Sequence, residues 1–122
     1  MAVSTSTASS PLITTIITDT DSDTTVETAA TADTDLYFVE ITNPNTVAVY
    51  TKLIAAASGS NTTTQHFLQF YCPASTSCYA YIPAFLLIGA GIQFYTTTAP
   101  GAVGSQCNPT EDVTVKIGLT IS

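Results

Sequence analysis

The chain has 122 residues, enough for one domain. Hydrophobic residues make up 45% and charged residues 9%, against a usual charged share of about 25%, and the net charge is -7 with Lys52 and Lys116 as the sole bases. The clustered Lys and Arg that nucleic acid or an anionic membrane needs are missing, and no apolar run reaches the ~18 residues of a membrane span.

Threonine takes the place of charge. Its β-branched side chain suits a pleated strand, and its hydroxyl is cheaper to bury than an ion. A surface of this kind is suited to being covered by neighbouring protein. The acids are uneven: Asp19, Asp21, Asp23, Glu27, Asp33 and Asp35 fall in the first 35 residues with no base, whereas Glu40, Glu111 and Asp112 beyond them face the two lysines. An acidic leader thus precedes a nearly neutral body.

Taken in order, residues 1–10 are small and polar and have no reason to be ordered alone. There is no basic region followed by an apolar core, so a secretory signal is not expected, and synthesis in the cytoplasm is. Pro11 to Thr18 is β-prone, with Leu12, Ile13, Ile16 and Ile17 in pairs rather than alternating. Residues 19–35 alternate Thr with Asp and read as an extended linker, with a short strand at 24–28. Residues 1–34 are therefore expected as an extended, docked N-terminal arm and residues 35–122 as the body.

In the body, Asp35 to Thr42 reads as a strand, with Tyr37, Val39 and Ile41 on one side and Leu36, Phe38 and Glu40 on the other. Asn43 to Thr46 is a turn by residue type, and Val47 to Leu53 the returning strand. Ser58 to Thr64 is a loop, His66 to Tyr71 a strand, and Cys72 to Cys78 a turn. Tyr79 to Ile82 is a short strand that Pro83 should stop. Ile92 to Thr96 is another strand, and residues 97–110 form a loop. Asp112 to Ile121 closes the chain, with Val113, Val115, Ile117, Leu119 and Ile121 at strict period two. Short strands at this spacing, with no helical period, predict an all-β antiparallel sandwich or jelly roll with an extended N-terminal arm.

Few residues offer chemistry. His66 is the lone histidine and has no nucleophile motif beside it. Cys72, Cys78 and Cys107 do not have zinc-finger spacing; a Cys72–Cys78 disulfide, a bridge from either to Cys107, or buried thiols remain open. Asp19, Asp21 and Asp23 resemble the start of a calcium loop, but its glycine and distal glutamate are out of register. Gly89 and Gly91 lack the helix a phosphate site needs and read as a turn or bulge. Asn61 opens a glycosylation acceptor that means little without secretion. Tyr71, Tyr79, Tyr81 and Tyr95 suit either a sugar-binding face or core and interface packing. No catalytic residue, cofactor or metal is expected, and the chain does not read as an enzyme.

The segment Leu36 to Ser58, LYFVEITNPNTVAVYTKLIAAAS, resembles a recurring element of small tailed-bacteriophage virion proteins. Ile82-Pro83-Ala84, the segment Gly89 to Phe94 and the closing strand fit the same layout. The resemblance implies a capsid decoration, or cement, protein: a homo-oligomer, a trimer ahead of a dimer, on the outer surface of the virion head, binding the major capsid protein. A tail- or fibre-associated glycan- or host-binding module is the alternative. Leu12, Ile13, Ile16 and Ile17 are expected to add a strand to the partner, and Asp19, Asp21 and Asp23 to meet its basic patches.

Overall fold

A computed structural model of the chain describes residues 3–7, 15–62, 64–101 and 107–121, with the side chains of 83–85 outside that description. It is all-β. Among the described residues nine strands follow in order: β1 Val3–Thr7, β2 Thr15–Ser22, β3 Glu27–Ala30, β4 Thr34–Asn43, β5 Val49–Ile54, β6 Leu68–Cys72, β7 Thr76–Ile88, β8 Ile92–Thr97 and β9 Val113–Ile121. They form two antiparallel sheets, ordered β1-β2-β9-β4-β7 and β3-β8-β5-β6. The pairs β2·β9, β3·β8, β4·β7 and β5·β6 nest one inside another. That nesting is the winding of an eight-strand jelly roll, with β1 added at one edge.

The closing strand lies in the middle of the larger sheet, between β2 and β4. Val113, Val115, Ile117 and Leu119 all point inward and are fully buried, while Ile121 reaches the rim and is exposed. Across the sandwich they meet Val49, Leu53, Ile92 and Phe94 of the smaller sheet. Each buried side chain of this size stabilises the fold by roughly 1.5–3 kcal/mol, which fixes the register of β9.

The expected boundary at residue 35 is corrected. Residues 15–30 are strands of the body: β2 covers the flank of β9 that β4 leaves open, and β3 covers β8. The crossing between the sheets is stitched by buried hydroxyls. Ser22 lies 2.8 Å from Thr96, which lies 2.9 Å from Thr51, and Thr96 N–H donates to the Asp23 carbonyl at 2.8 Å. Threonine and serine in place of carboxylates make that interior path affordable.

Two bulges separate the sequence periodicity from the observed faces. Between β4 and β9 the register slips at Tyr37, so Leu36 opposite Leu119 and Phe38 opposite Gly118 project to different sides. Leu36 thereby joins Val39 and Ile41 in the core rather than opposing them. Between β4 and β7 the register runs from Leu36↔Leu86 to Phe38↔Tyr81. This irregularity contains Pro83, which does not end β7 as expected. The strand is at the sheet edge, where a missing N–H breaks no ladder.

Candidate functional site

The surface best suited to an interaction is the edge where β6 and β7 run beside each other. β7 alternates Cys78 and Ala80 toward the interior with Tyr79 and Tyr81 toward solvent. Tyr79 is 57% exposed, Tyr81 52% and Tyr71 on β6 56%, so three large rings face water at one edge. Tyr79 stacks on Phe38 at 5.3 Å between centroids and runs parallel to Tyr81 at 6.4 Å and 8°. Tyr50 tilts against Tyr71 at 5.4 Å. Between the two strands opens an apolar cleft of about 110 Å³, floored by Val39, Ile41 and Phe70 and rimmed by Tyr71 and Tyr79.

The same edge is free of charge. β7 spans 13 residues, TSCYAYIPAFLLI, without an Asp, Glu, Lys, Arg or His, and among the described residues it pairs on β4 alone. Long edges usually carry lysine or a strong twist to prevent further pairing; here, among the described residues, Pro83 and the adjacent irregularity are what interrupts the edge. At one end, Thr42, Asn43, Pro44, Ser75, Thr76 and Ser77 line a shallow depression of about 350 Å³. Asn43 shapes that end by donating to the carbonyls of Val47 at 3.0 Å and Pro73 at 2.9 Å, while its oxygen accepts from Asn45 N–H at 3.0 Å.

The expected arm contacts do not gather into a site. Leu12 and Ile13 lie outside the described residues. Ile16 pairs opposite Gly118, Ile17 is buried opposite Ile117, and Asp19 is buried opposite Val115. Ile17 and Asp19 therefore serve this chain's own sandwich, and their role as partner contacts is corrected. The β9 flank has to be paired, and β2 is the strand that pairs it.

Asp19 has no solvent exposure. Its Oδ1 accepts the Asp21 N–H at 3.1 Å, and its Oδ2 meets no hydrogen-bond donor among the described residues. Burial, with the carboxyls of Asp21 and Glu27 nearby, pushes its pKa up to about 7 against the relief of the Asp21 N–H. Glu27 is also raised, first by burial and then by Asp23 and Asp21. Asp23 instead caps a turn, accepting the Thr25 N–H at 2.8 Å. Among the described residues no group of acids, histidine and cysteines is placed to hold a metal ion.

Lys52, which sequence reasoning left unassigned, is buried on the outer side of β5. Its ammonium donates to Thr97 Oγ1 at 2.6 Å, to the Ala99 carbonyl at 2.8 Å and to the Gly101 carbonyl, and sits 5.4 Å from the Tyr95 ring centre. All three protons are used, so the group is a clasp on the 97–101 loop rather than a base. Burial lowers its pKa. His66 is also lowered, by burial and then by Lys52, and its Nδ1 has no partner among the described residues. Among the described residues nothing orients it for proton transfer.

Cys72, Cys78 and Cys107 are free thiols. Cys107 is tied to the loop beside Lys52, its carbonyl accepting the Thr98 N–H at 2.8 Å. Ala90 and Gly91 take left-handed backbone angles in the β7–β8 turn, and a Cβ on Gly91 would stand 2.4 Å from the Ala30 carbonyl oxygen. The glycine pair is a turn.

No protein-family profile matches the chain, and no curated protein does. Among solved structures it is similar to the cupin domain of Schizosaccharomyces pombe Cnp3, with 6% identity and a TM-score of 0.35. The match covers 98% of this chain and 60% of that one.

Proposed function

We propose that the chain is a virion structural protein, a decoration protein that binds the outer surface of a tailed-phage head, associates with itself, and stabilises the lattice of major capsid protein. The observation that carries this reading is the charge-free β7 edge with Tyr79 and Tyr81 turned outward beside Tyr71. Such an edge exposes unpaired backbone groups and aromatic rings together, the composition found at the centres of protein interfaces. The partner contact moves accordingly from the N-terminal segment to this edge.

Two further features support it. The nested strand order is that of the jelly roll, an architecture used by viral capsid domains among others. The residues that resemble phage virion proteins, Leu36 to Ser58, supply β4 and β5, and β4 holds β7 in place. On a lattice, modest contacts repeated by symmetry add through avidity. A trimer is the self-association favoured by the resemblance.

The test is co-sedimentation of the purified chain with phage heads lacking decoration protein. Saturable binding that is lost in a Tyr79→Ser, Tyr81→Ser variant with unchanged melting supports the proposal; equal binding by that variant refutes the assigned surface. The parallel tyrosine rings also favour a second reading, a glycan-binding virion module. A glycan array separates the two, since specific sugar binding without head binding selects the second.

A further inference from the structure

The loop joining β6 to β7 is flanked by a pair of thiols that the interaction surface leaves unused. Cys72 is the last residue of β6 and Cys78 the third of β7, so one stands on each sheet. Both point into the sandwich. Cys72 is fully buried, and Cys78 packs against the core while lining the open cleft. The Cys72 Sγ reaches across to the other sheet, 3.3 Å from the Thr76 carbonyl oxygen and 3.7 Å from that of Ile41. Ile41 is the residue paired opposite Cys78. Cys72 and Cys78 thus meet beside Ile41 at one point of the interior. Cys107 is tied instead to Thr98, in the loop after β8 that Lys52 clasps.

We infer that Cys72 and Cys78 are a latent disulfide that closes after synthesis and ties the two sheets together beneath the tyrosine-rimmed edge. This inference does not depend on the proposed function. The oxidant is a small-molecule disulfide such as oxidised glutathione. The Cys78 thiolate, reached through the cleft, attacks one sulfur of the reagent; a Cys78–glutathione bond forms and one glutathione thiolate leaves. Cys72, as thiolate, then attacks the Cys78 sulfur, forming Cys72–Cys78 and expelling the second glutathione. Two thiols are oxidised, one disulfide is reduced, and the two protons end on the two glutathione thiols. Burial and the adjacent Cys78 push the Cys72 thiol up to about 12, so Cys72 suits the second, intramolecular step rather than the first.

The functional consequence is local. The closed loop holds Pro73 to Ser77 and fixes the backbone on which Tyr71 and Tyr79 stand, each being the neighbour of one of the two cysteines. A cross-link of this kind removes freedom from the unfolded chain.

The experiment uses the full chain carrying Cys107→Ser, folded, incubated with oxidised glutathione and then alkylated. The expected product is lighter by two hydrogens, yields a peptide joining Cys72 to Cys78, and melts roughly 5–10 °C higher until a reducing agent is added. Adding Cys78→Ser to that background abolishes all three changes. A stable glutathione adduct on Cys78 with Cys72 still open to alkylation after denaturation, or complete inertness of both thiols in the folded chain, overturns the inference.

Discussion

The ring of Phe38 lies over Gly118, filling the place where a side chain on that residue would stand: a Cβ there would come within 2.0 Å of Phe38 Cε2. The two are paired across β4 and β9 on the outer face, and Tyr79 extends the stack from β7. One glycine in the middle of the central strand thus seats an aromatic row that reaches the sheet edge. Gly118→Ala must displace the ring, and a cost of about 1–3 kcal/mol follows from overpacking. Chemical denaturation measures it. The double variant Gly118→Ala, Phe38→Ala should cost less than the two single costs added together, since the clash is gone.

Asp19 makes stability depend on pH in an unusual sense. Its carboxyl keeps a proton to about pH 7 in the fold but releases it near its ordinary 3.8 when unfolded. Folding therefore takes up a proton between those values, so stability falls as pH rises from about 4 to 7 and levels off above. The loss is at most about 4 kcal/mol, the full shift converted at 1.36 kcal/mol per unit. Glu27 acts in the same direction. Asp19→Asn should flatten most of this slope and melt higher than the parent at pH 8, measured by calorimetry across the range.

The Lys52 clasp predicts a local loosening. Lys52→Met keeps the length of the stem and removes the three donated bonds to Thr97, Ala99 and Gly101. Leaving those acceptors unmet should cost about 2–4 kcal/mol. Hydrogen exchange should accelerate at Gly101 N–H, which now donates to Gln69 Oε1 at 2.9 Å, more than in β9. Uniform acceleration throughout would contradict a local role.

How far the sequence carried this reading varies by element. β9 was legible because its apolar residues keep strict period two and one face is wholly buried. The turn at Asn43 to Thr46 was legible from residue type, although the burial of Asn43 and Asn45 as loop anchors was not. The faces of β4 were half right: Val39 and Ile41 are core, but the bulge at Tyr37 turns Leu36 in with them. A bulge adds a residue without a compositional mark, so alternation alone misassigns what precedes it.

The N-terminal segment misled because Asp, depleted in strands, alternates there with Thr, and local preference argued for a linker. Tertiary pairing with β9 and β8 overrode it, at the expense of burying one carboxyl. Pro83 misled in the opposite way, since whether it ends a strand depends on an edge position that no local pattern reveals. The tyrosines were visible as a cluster by type; that three of them share one uncharged edge follows from the winding.

The most direct measurement of the central claim is hydrogen exchange of the purified chain, alone and bound to undecorated phage heads. Slowed exchange is expected in β7 around Tyr79 and Tyr81 and in β6 at Tyr71, with β3 unchanged. Binding that leaves β6 and β7 unprotected, or no binding to heads at all, would contradict it.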